Sequence, residues 1–372
     1  MTSFTSDMEP STKDLVALAV QGLTACGYTP DGELPFTLRG GAGPHGPVVT
    51  AEGHSLRYTA IAALGLARQP IEVQRQVLAG SDAAAMATSC LTLAAESTDP
   101  GAVAISLWAA AEVAGVTDDR LATVVLNAVR SPSIATVDCS WAVVAGLAMP
   151  EGSAADALVQ EASRKLMSHQ GPKGTFPHQL PASGALRGHV GSFADQIYPI
   201  QALARYAAHT GDAPALAAAE KTARRIVDLQ GPAGQWWWHY DARTGDVVER
   251  YPVYAVHQHG MAPMVLTELA ASGGTDHGDA VARGFEWLWT HPECVEPLVA
   301  ADLGVVWRKV GRREPFKAAR AVNAAATRLR RGAQAPFVDR IWPAGRVDYE
   351  CRPYELGWLL YASGEPHEGS AS

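Results

Sequence analysis

Apolar positions recur at helical spacing along nearly the whole chain, and the spacing predicts helices over 15–25, 56–68, 84–96, 102–114, 120–129, 138–149, 156–169, 193–209, 215–229, 258–271, 280–290, 317–331 and 354–362. The stretches between them are short and carry Gly, Pro and Asp, as in Gly211-Asp212, Gly273-Gly274 and Ser131-Pro132, the residues that end helices and start turns. Alternation of period two is confined to short pieces such as 304–307 and 247–256. The ends, 1–14 and 363–372, are rich in Ser, Glu, Gly and Pro and read as poorly ordered tails.

One segment is written twice. Gln170-Gly171-Pro172-Lys173-Gly174-Thr175-Phe176 and Gln230-Gly231-Pro232-Ala233-Gly234-Gln235-Trp236 both fit Gln-x-x-x-Gly-x-aromatic. Each copy follows an Ala-rich amphipathic helix and precedes a polar loop and a second apolar helix, so the repeating unit is a helical hairpin with a decorated turn. Stretches such as 59–65 and 142–147 are almost wholly small and apolar, which suits helices buried on every face. Antiparallel hairpins can bury such helices by closing into a ring. We therefore expect an all-α fold: a single α/α toroid of about six hairpins over 15–362, with an open solenoid of helix pairs as the competing arrangement.

Composition excludes more than it identifies. A chain of 372 residues with 47% hydrophobic residues can bury a large core. The net charge of −8 gives no basic field for nucleic acid. No apolar run approaches the roughly 18 residues of a membrane span, and 1–13 lacks a secretory hydrophobic stretch, so a soluble cytoplasmic protein is expected. The five cysteines are odd in number and widely spaced, unlike a disulfide framework or a zinc ribbon. Neither a metal nor a cofactor is expected.

If the hairpins are overlaid on their inner helices, the residues just before each apolar run fall at equivalent places. These are His54, Arg57 and Tyr58; Asp138 and Trp141; Asp195, Gln196 and Tyr198; His257, Gln258 and His259; and Arg352, Tyr354 and Glu355. Inner-helix starts open at one mouth of a toroid, so these residues should converge there. Asp138 and Asp195 also sit where helix caps belong. Two carboxylates, several histidines and two arginines exceed what capping needs, and a functional cleft is the stronger expectation. Trp238 in the run 236–241, Tyr254, and Arg308 in the basic stretch 306–313 are added as wall residues. The Gly-rich segment 40–46, which includes His45, is expected to be a flexible loop able to act as a lid.

The two Gln-x-x-x-Gly-x-aromatic turns resemble those of the terpenoid cyclase and protein prenyltransferase superfamily, with Phe176 in place of Trp in the first copy. In that family the Gln caps helix ends and the ring stacks beside it. Six-hairpin carbohydrate enzymes are similar almost to the same degree. The first resemblance implies an isoprenoid cyclase or isomerase, with Asp138 as the acid, His257 and His259 polarising it, and Tyr58, Trp141, Tyr198 and Tyr254 facing a developing cation. The match is partial: of the family's Asp-x-Asp-Asp motif only the central carboxylate is kept, in Val137-Asp138-Cys139-Ser140. Zinc held by Asp138 and Cys139 is disfavoured because neighbours on a helix point roughly 100 degrees apart. The second resemblance implies a glycoside hydrolase, polysaccharide lyase or sugar epimerase using Asp138, Asp195 and His259. The substrate is then a small molecule, isoprenoid or sugar. A catalytically silent helical scaffold is the third reading.

Overall fold

A helix that buries every face must be narrow, and the chain places Ala, Gly and Ser where that is required. The computed structural model describes residues 12–364 except Asp31, His45, Phe316, Gln334 and Pro336. It contains α1 (Thr12–Ala25), α2 (Leu56–Leu66), α3 (Ile71–Val77), α4 (Ala83–Ala94), α5 (Pro100–Ala109), α6 (Asp119–Arg130), α7 (Thr136–Ala148), α8 (Ser153–His169), α9 (Ala194–Thr210), α10 (Ala213–Asp228), α11 (Ala262–Ala271), α12 (Gly278–Thr290), α13 (Ala318–Leu329), α14 (Phe337–Ile341) and α15 (Pro353–Ser363). A π-turn, Ala110–Ala114, extends α5, and another, His257–Met261, leads into α11. Residues 12–14, expected in the N-terminal tail, form the first turn of α1; 1–11 and 365–372 lie outside the described residues.

Six helices form a closed inner ring. α2 packs on α5, α5 on α7, α7 on α9, α9 on α11, α11 with its π-turn on α15, and α15 on α2. α1, α4, α6, α8, α10 and α12 pack around them. The structure is the α/α toroid expected from the repeat, and the open solenoid is excluded because the first and last ring helices touch. That seam depends on glycine. A Cβ on Gly65 would lie 2.2 Å from the Gly357 carbonyl oxygen, and one on Gly357 would lie 2.8 Å from the Ile61 oxygen. The two backbones meet with no room for a side chain.

The axis is filled by aromatic rings. Trp141 meets Tyr198 edge-on at 5.2 Å, the Trp358 indole donates to the Tyr198 hydroxyl (2.8 Å), and Trp108 and Tyr361 continue the column. Each such buried ring contributes about 2–3 kcal/mol.

Among the described residues, five small antiparallel sheets accompany the helices, more strand than the pattern predicted. Thr37–Gly43 lies between Gly46–Glu52 and Glu350–Cys351; the segment expected to be a flexible lid is thus mostly hairpin, and His45 lies outside the described residues. His239–Asp241 lies between Val190–Ser192 and Val247–Glu249, and Lys309–Arg312 between Val253–Tyr254 and Ala344–Asp348. Strand length was missed because Gly-rich and charged segments lack the apolar alternation that signals a strand.

The repeated turns act structurally. The Gln170 side chain donates to Ala218 O (2.7 Å) and that of Gln230 to Ala280 O (2.8 Å), each tying a turn to the next outer helix. Gly174 and Gly234 hold φ of +96° and +91° against the backbones of Lys221 and Arg283, a conformation that favours glycine. Phe176 and Trp236 are fully buried.

Candidate functional site

The ring helices all start at one mouth, and backbone hydrogen bonds set a common register there. Thr136 N–H donates to His178 O (2.9 Å), Phe193 N–H to Trp238 O (2.8 Å) and Ala255 N–H to Arg308 O (2.9 Å). Two residues after each donor stand Asp138, Asp195 and His257. Three consecutive units therefore present a pair at the mouth: Asp138 with His178, Asp195 with Trp238, His257 with Arg308.

Asp138 is the third residue of α7 and caps nothing; Ala135 precedes the helix. It is buried, and its Oδ1 lies 2.9 Å from Arg57 Nη1 but has no hydrogen-bond partner of good geometry. Burial lifts its carboxyl above the ordinary range, while Arg57 pulls it down and Asp99 pushes it up again. Arg57 itself is bound by Asp99, which accepts from Nε at 2.7 Å and from Nη2. This close packing needs Gly101, where a Cβ would lie 2.1 Å from Asp138 Oδ1 and 2.3 Å from Arg57 Nη2.

Asp195 is fully buried and stands in the first turn of α9, where it bonds back to Ser192. Its Oδ2 accepts from Ser192 N–H (2.7 Å) and Ser192 Oγ (2.8 Å), and its own N–H donates back to Ser192 Oγ (3.3 Å), a reciprocal capping box. His178 Nδ1 lies 3.2 Å from both carboxylate oxygens. The His178 ring is exposed, and its hydrogen bond to Asp195 raises its pKa above the usual imidazole value, with Asp138 adding to the effect. His178 thus connects the two carboxylates electrostatically and faces solvent.

The other expected residues divide. His257 is buried between Phe193 (4.4 Å) and Tyr254 (5.0 Å). His259 is buried with neither ring nitrogen partnered. Burial pushes both imidazoles down to about 3. They are neutral near pH 7, so the expectation that they polarise Asp138 is corrected: the groups that pull its carboxyl down are Arg57 and, across the mouth, His178. His54 is exposed on the flank, with Nδ1 at 3.5 Å from Glu33 O, and does not join the cluster. Gln196 is engaged with the backbone of Phe176, accepting its N–H (2.7 Å) and donating to its O (3.0 Å), so it clips a turn to α9. Gln258 donates to Tyr254 O (3.2 Å) and leaves its Oε1 unpartnered. Cys139 points away from the mouth and donates to Ala162 O, with its thiol pushed up to about 12 by burial.

On the far side of the mouth, Trp238, Tyr254, Arg308, Lys309, Glu350 and Arg352 help to line a cavity of about 1130 Å³. The basic stretch 306–313 is mostly paired: Lys309 with Asp348, and Arg312 with Glu249 and Asp339. Arg352 Nη1 donates to the Tyr58 hydroxyl (2.7 Å), and Tyr58 stacks on Tyr354 (4.6 Å). Glu355 lies behind Arg308, completely buried. Buried polar atoms without partners gather at this mouth: Asp138 Oδ1, Trp141 Nε1, His257 Nδ1, Arg308 Nε, Arg352 Nε and both oxygens of Glu355. A folded protein keeps few such groups, and a cluster of them marks a place where water or a ligand completes the bonding.

Asp99, Gly101 and His178 were missed from sequence. Asp99 precedes Pro100 at the start of an apolar helix, a recognisable cap. His178 stands at the position in the first repeat that Trp238 holds in the second.

No family model matches the chain, and no curated protein matches it in sequence. Solved structures do match. An unsaturated glucuronyl hydrolase specific for heparin aligns at 14% identity over 94% of this chain and 95% of its own, with a TM-score of 0.59. An unsaturated glucuronyl hydrolase from Bacillus sp. GL1, responsible for the degradation of glycosaminoglycan, aligns at 14% identity over 96% and 98%, with a TM-score of 0.55. A glycosyl hydrolase of family 88 from Bacteroides vulgatus aligns at 9% identity over 95% and 98%, with a TM-score of 0.56. At these identities the likeness establishes the toroid fold over nearly the whole chain. It also corrects the isoprenoid expectation. These three toroids are hydrolases of glycosides, none is a terpenoid cyclase, and the mouth of this ring is crowded with charges where a carbocation would need an apolar wall. Among the described residues no helix is long and apolar enough to cross a membrane.

Proposed function

We propose that the chain is a carbohydrate-active toroid enzyme that hydrolyses the bond between an acidic sugar and its neighbour. The observation that carries this reading is the meeting of Asp138, Asp195 and His178 at one mouth, with Asp138 Oδ1 held by the Arg57 ion pair and by no well-formed hydrogen bond. Asp138, lifted by burial, is the proton donor to the leaving oxygen; donation leaves it as the carboxylate, which Arg57 holds in place until a proton from solvent restores the acid for the next turnover. The Asp195–His178 pair orients water and accepts its proton. Trp238, in the cavity wall, offers a ring to a sugar, and the cationic side of the mouth suits a carboxylate substituent. The fold likeness to glucuronyl hydrolases supports the substrate class without naming the substrate.

The test is turnover of 4,5-unsaturated uronyl disaccharides and of saturated β-glucuronides, followed as loss of the conjugated double bond or as release of sugar. The wild-type chain should process at least one of the two groups. Asp138→Asn and Asp195→Asn should each lower the rate on the order of 10²- to 10⁴-fold. Inactivity on every acidic glycoside, or full activity of Asp138→Asn, would overturn the reading.

A further inference from the structure

Resting on the reading that the ligand is an acidic sugar, we propose that Arg308 and Arg352 form the site for its anionic group, a carboxylate or a sulfate ester, with Glu355 behind them as the competitor for Arg308. Arg308 lies in the link before strand Lys309–Arg312, and its side chain is 12% exposed. Three carboxylates surround it, yet the contacts are 3.5 Å to Glu355, 3.6 Å to Glu350 and 4.0 Å to Asp348, and Nε has no hydrogen-bond partner. Arg352 is similar. It is 16% exposed, its Nη2 is 3.8 Å from Glu350, and its Nε is also unpartnered. A guanidinium presents a rigid fork of donors suited to a planar or tetrahedral oxyanion. Two such forks, short of acceptors and both in the wall of the 1130 Å³ cavity, make a surface suited to an anion. Tyr254, under Arg308 at 4.9 Å, and Phe36, under Arg352 at 4.2 Å, hold the forks by their faces and leave the edges for a ligand.

Glu355 explains why the site stays open. Its oxygens have no hydrogen-bond partner, and burial pushes the carboxyl up to about 8 against the pull of Arg308, Arg352 and Lys309. The groups facing it are Arg308 and Lys309 from the strand side, Tyr58 from α2, Tyr254 from strand Val253–Tyr254, and Arg352, Cys351 and Tyr354 beside it in sequence. His257 and His259 on the adjoining π-turn are neutral. Below the raised value Glu355 is uncharged and leaves Arg308 to an external anion. As pH rises through it, Glu355 ionises, pairs with Arg308 and repels the ligand.

The experiment is calorimetric titration of the full chain with glucuronate, glucose 6-sulfate and uncharged glucose, at about pH 6 and about pH 9, values that bracket the carboxyl. The acidic sugars should bind and glucose should not; the stronger of the two identifies carboxylate or sulfate as the natural group. Arg308→Gln and Arg352→Gln should each weaken binding on the order of ten- to a hundredfold, with Arg308→Lys between. Affinity should fall from the lower to the higher pH, and Glu355→Gln, checked for folding by circular dichroism, should flatten that fall. Equal binding of glucose and glucuronate, unchanged affinity in Arg308→Gln, or an undiminished pH dependence in Glu355→Gln would overturn the proposal. If uronides are turned over while these anion responses fail, the site is wrong and the hydrolase reading stands. Anion binding without turnover gives the reverse.

Discussion

The two mouths of the ring carry similar residues to opposite ends. At the mouth where the ring helices finish, Arg205 donates to Glu268 through Nε and Nη2 (both 2.8 Å), to Glu112 through Nη1 (3.1 Å) and to the Tyr361 hydroxyl through Nη2 (2.8 Å). Glu112 also accepts from Trp108 Nε1 (2.6 Å) and from Tyr361 (2.6 Å). The charges close on one another and act as a plug. At the mouth where the helices begin, Arg308, Arg352, Glu355 and Asp138 sit as deep, yet Nε of both arginines, both Glu355 oxygens and Asp138 Oδ1 lack a well-formed hydrogen bond. Satisfied buried charge fixes a structure, and removing one partner is costly; unsatisfied buried charge costs stability, and it is tolerated where a ligand supplies the missing partner.

That contrast can be broken at either end. The largest effect is expected from Asp138→Asn, which should remove the activity by the factors given above while changing the unfolding free energy by no more than about 1 kcal/mol, because Arg57 keeps Asp99. A stability loss without an activity loss would place Asp138 with the plug. Glu112→Ala should do the converse, lowering the urea-unfolding free energy by about 3 kcal/mol, the low end for a buried pair since a fifth of each side chain meets solvent, with KM for a uronide unchanged. Next comes acid sensitivity. His257 and His259 are held near 3 when folded, below their unfolded value of about 6.5. The unfolded chain therefore binds more protons between those values, and stability falls as pH drops below about 6.5, by roughly 2 kcal/mol per histidine at about pH 5. Thermal melts at the two pH values would show it, and a curve unaltered by His259→Phe would refute it. The smallest effect is that of Gly101→Ala, which should push Asp138 from Arg57 and slow turnover about tenfold, while the displaced buried pair lowers stability by about 1 kcal/mol. Unchanged kinetics would show that the Asp138–Arg57 contact is dispensable.

Much of the ring was legible because its signals are local. Helical periodicity, the repeated Gln-x-x-x-Gly-x-aromatic turns and the small residues of 59–65 all report on backbone packing, and that packing is what the structure contains. The convergence of Asp138, Asp195, Tyr198, Arg352 and Glu355 followed from the toroid, since a closed ring leaves equivalent residues no other place to go. Pairing was not legible. Whether Asp138 faces a histidine from the π-turn or one from a distant turn depends on loop paths of 20 or more residues, and His178 entered through a repeat position whose chemistry differs between copies. The choice between isoprenoid and sugar also failed on the fine composition of the wall. Tyrosines and tryptophans serve both ligands, and arginines such as Arg308 and Arg352 in the cavity wall suit an anionic group on either.

The glycine seam between Gly65 and Gly357 has a bearing on biosynthesis. The stave made first among the six and the stave made last must lie edge to edge, so a nascent chain on the ribosome carries five staves with a slot until Pro353–Ser363 emerges. Joining the ends and cutting instead at Gly211-Asp212 would move that slot to a different place in the order of manufacture, yet leave the finished hoop the same.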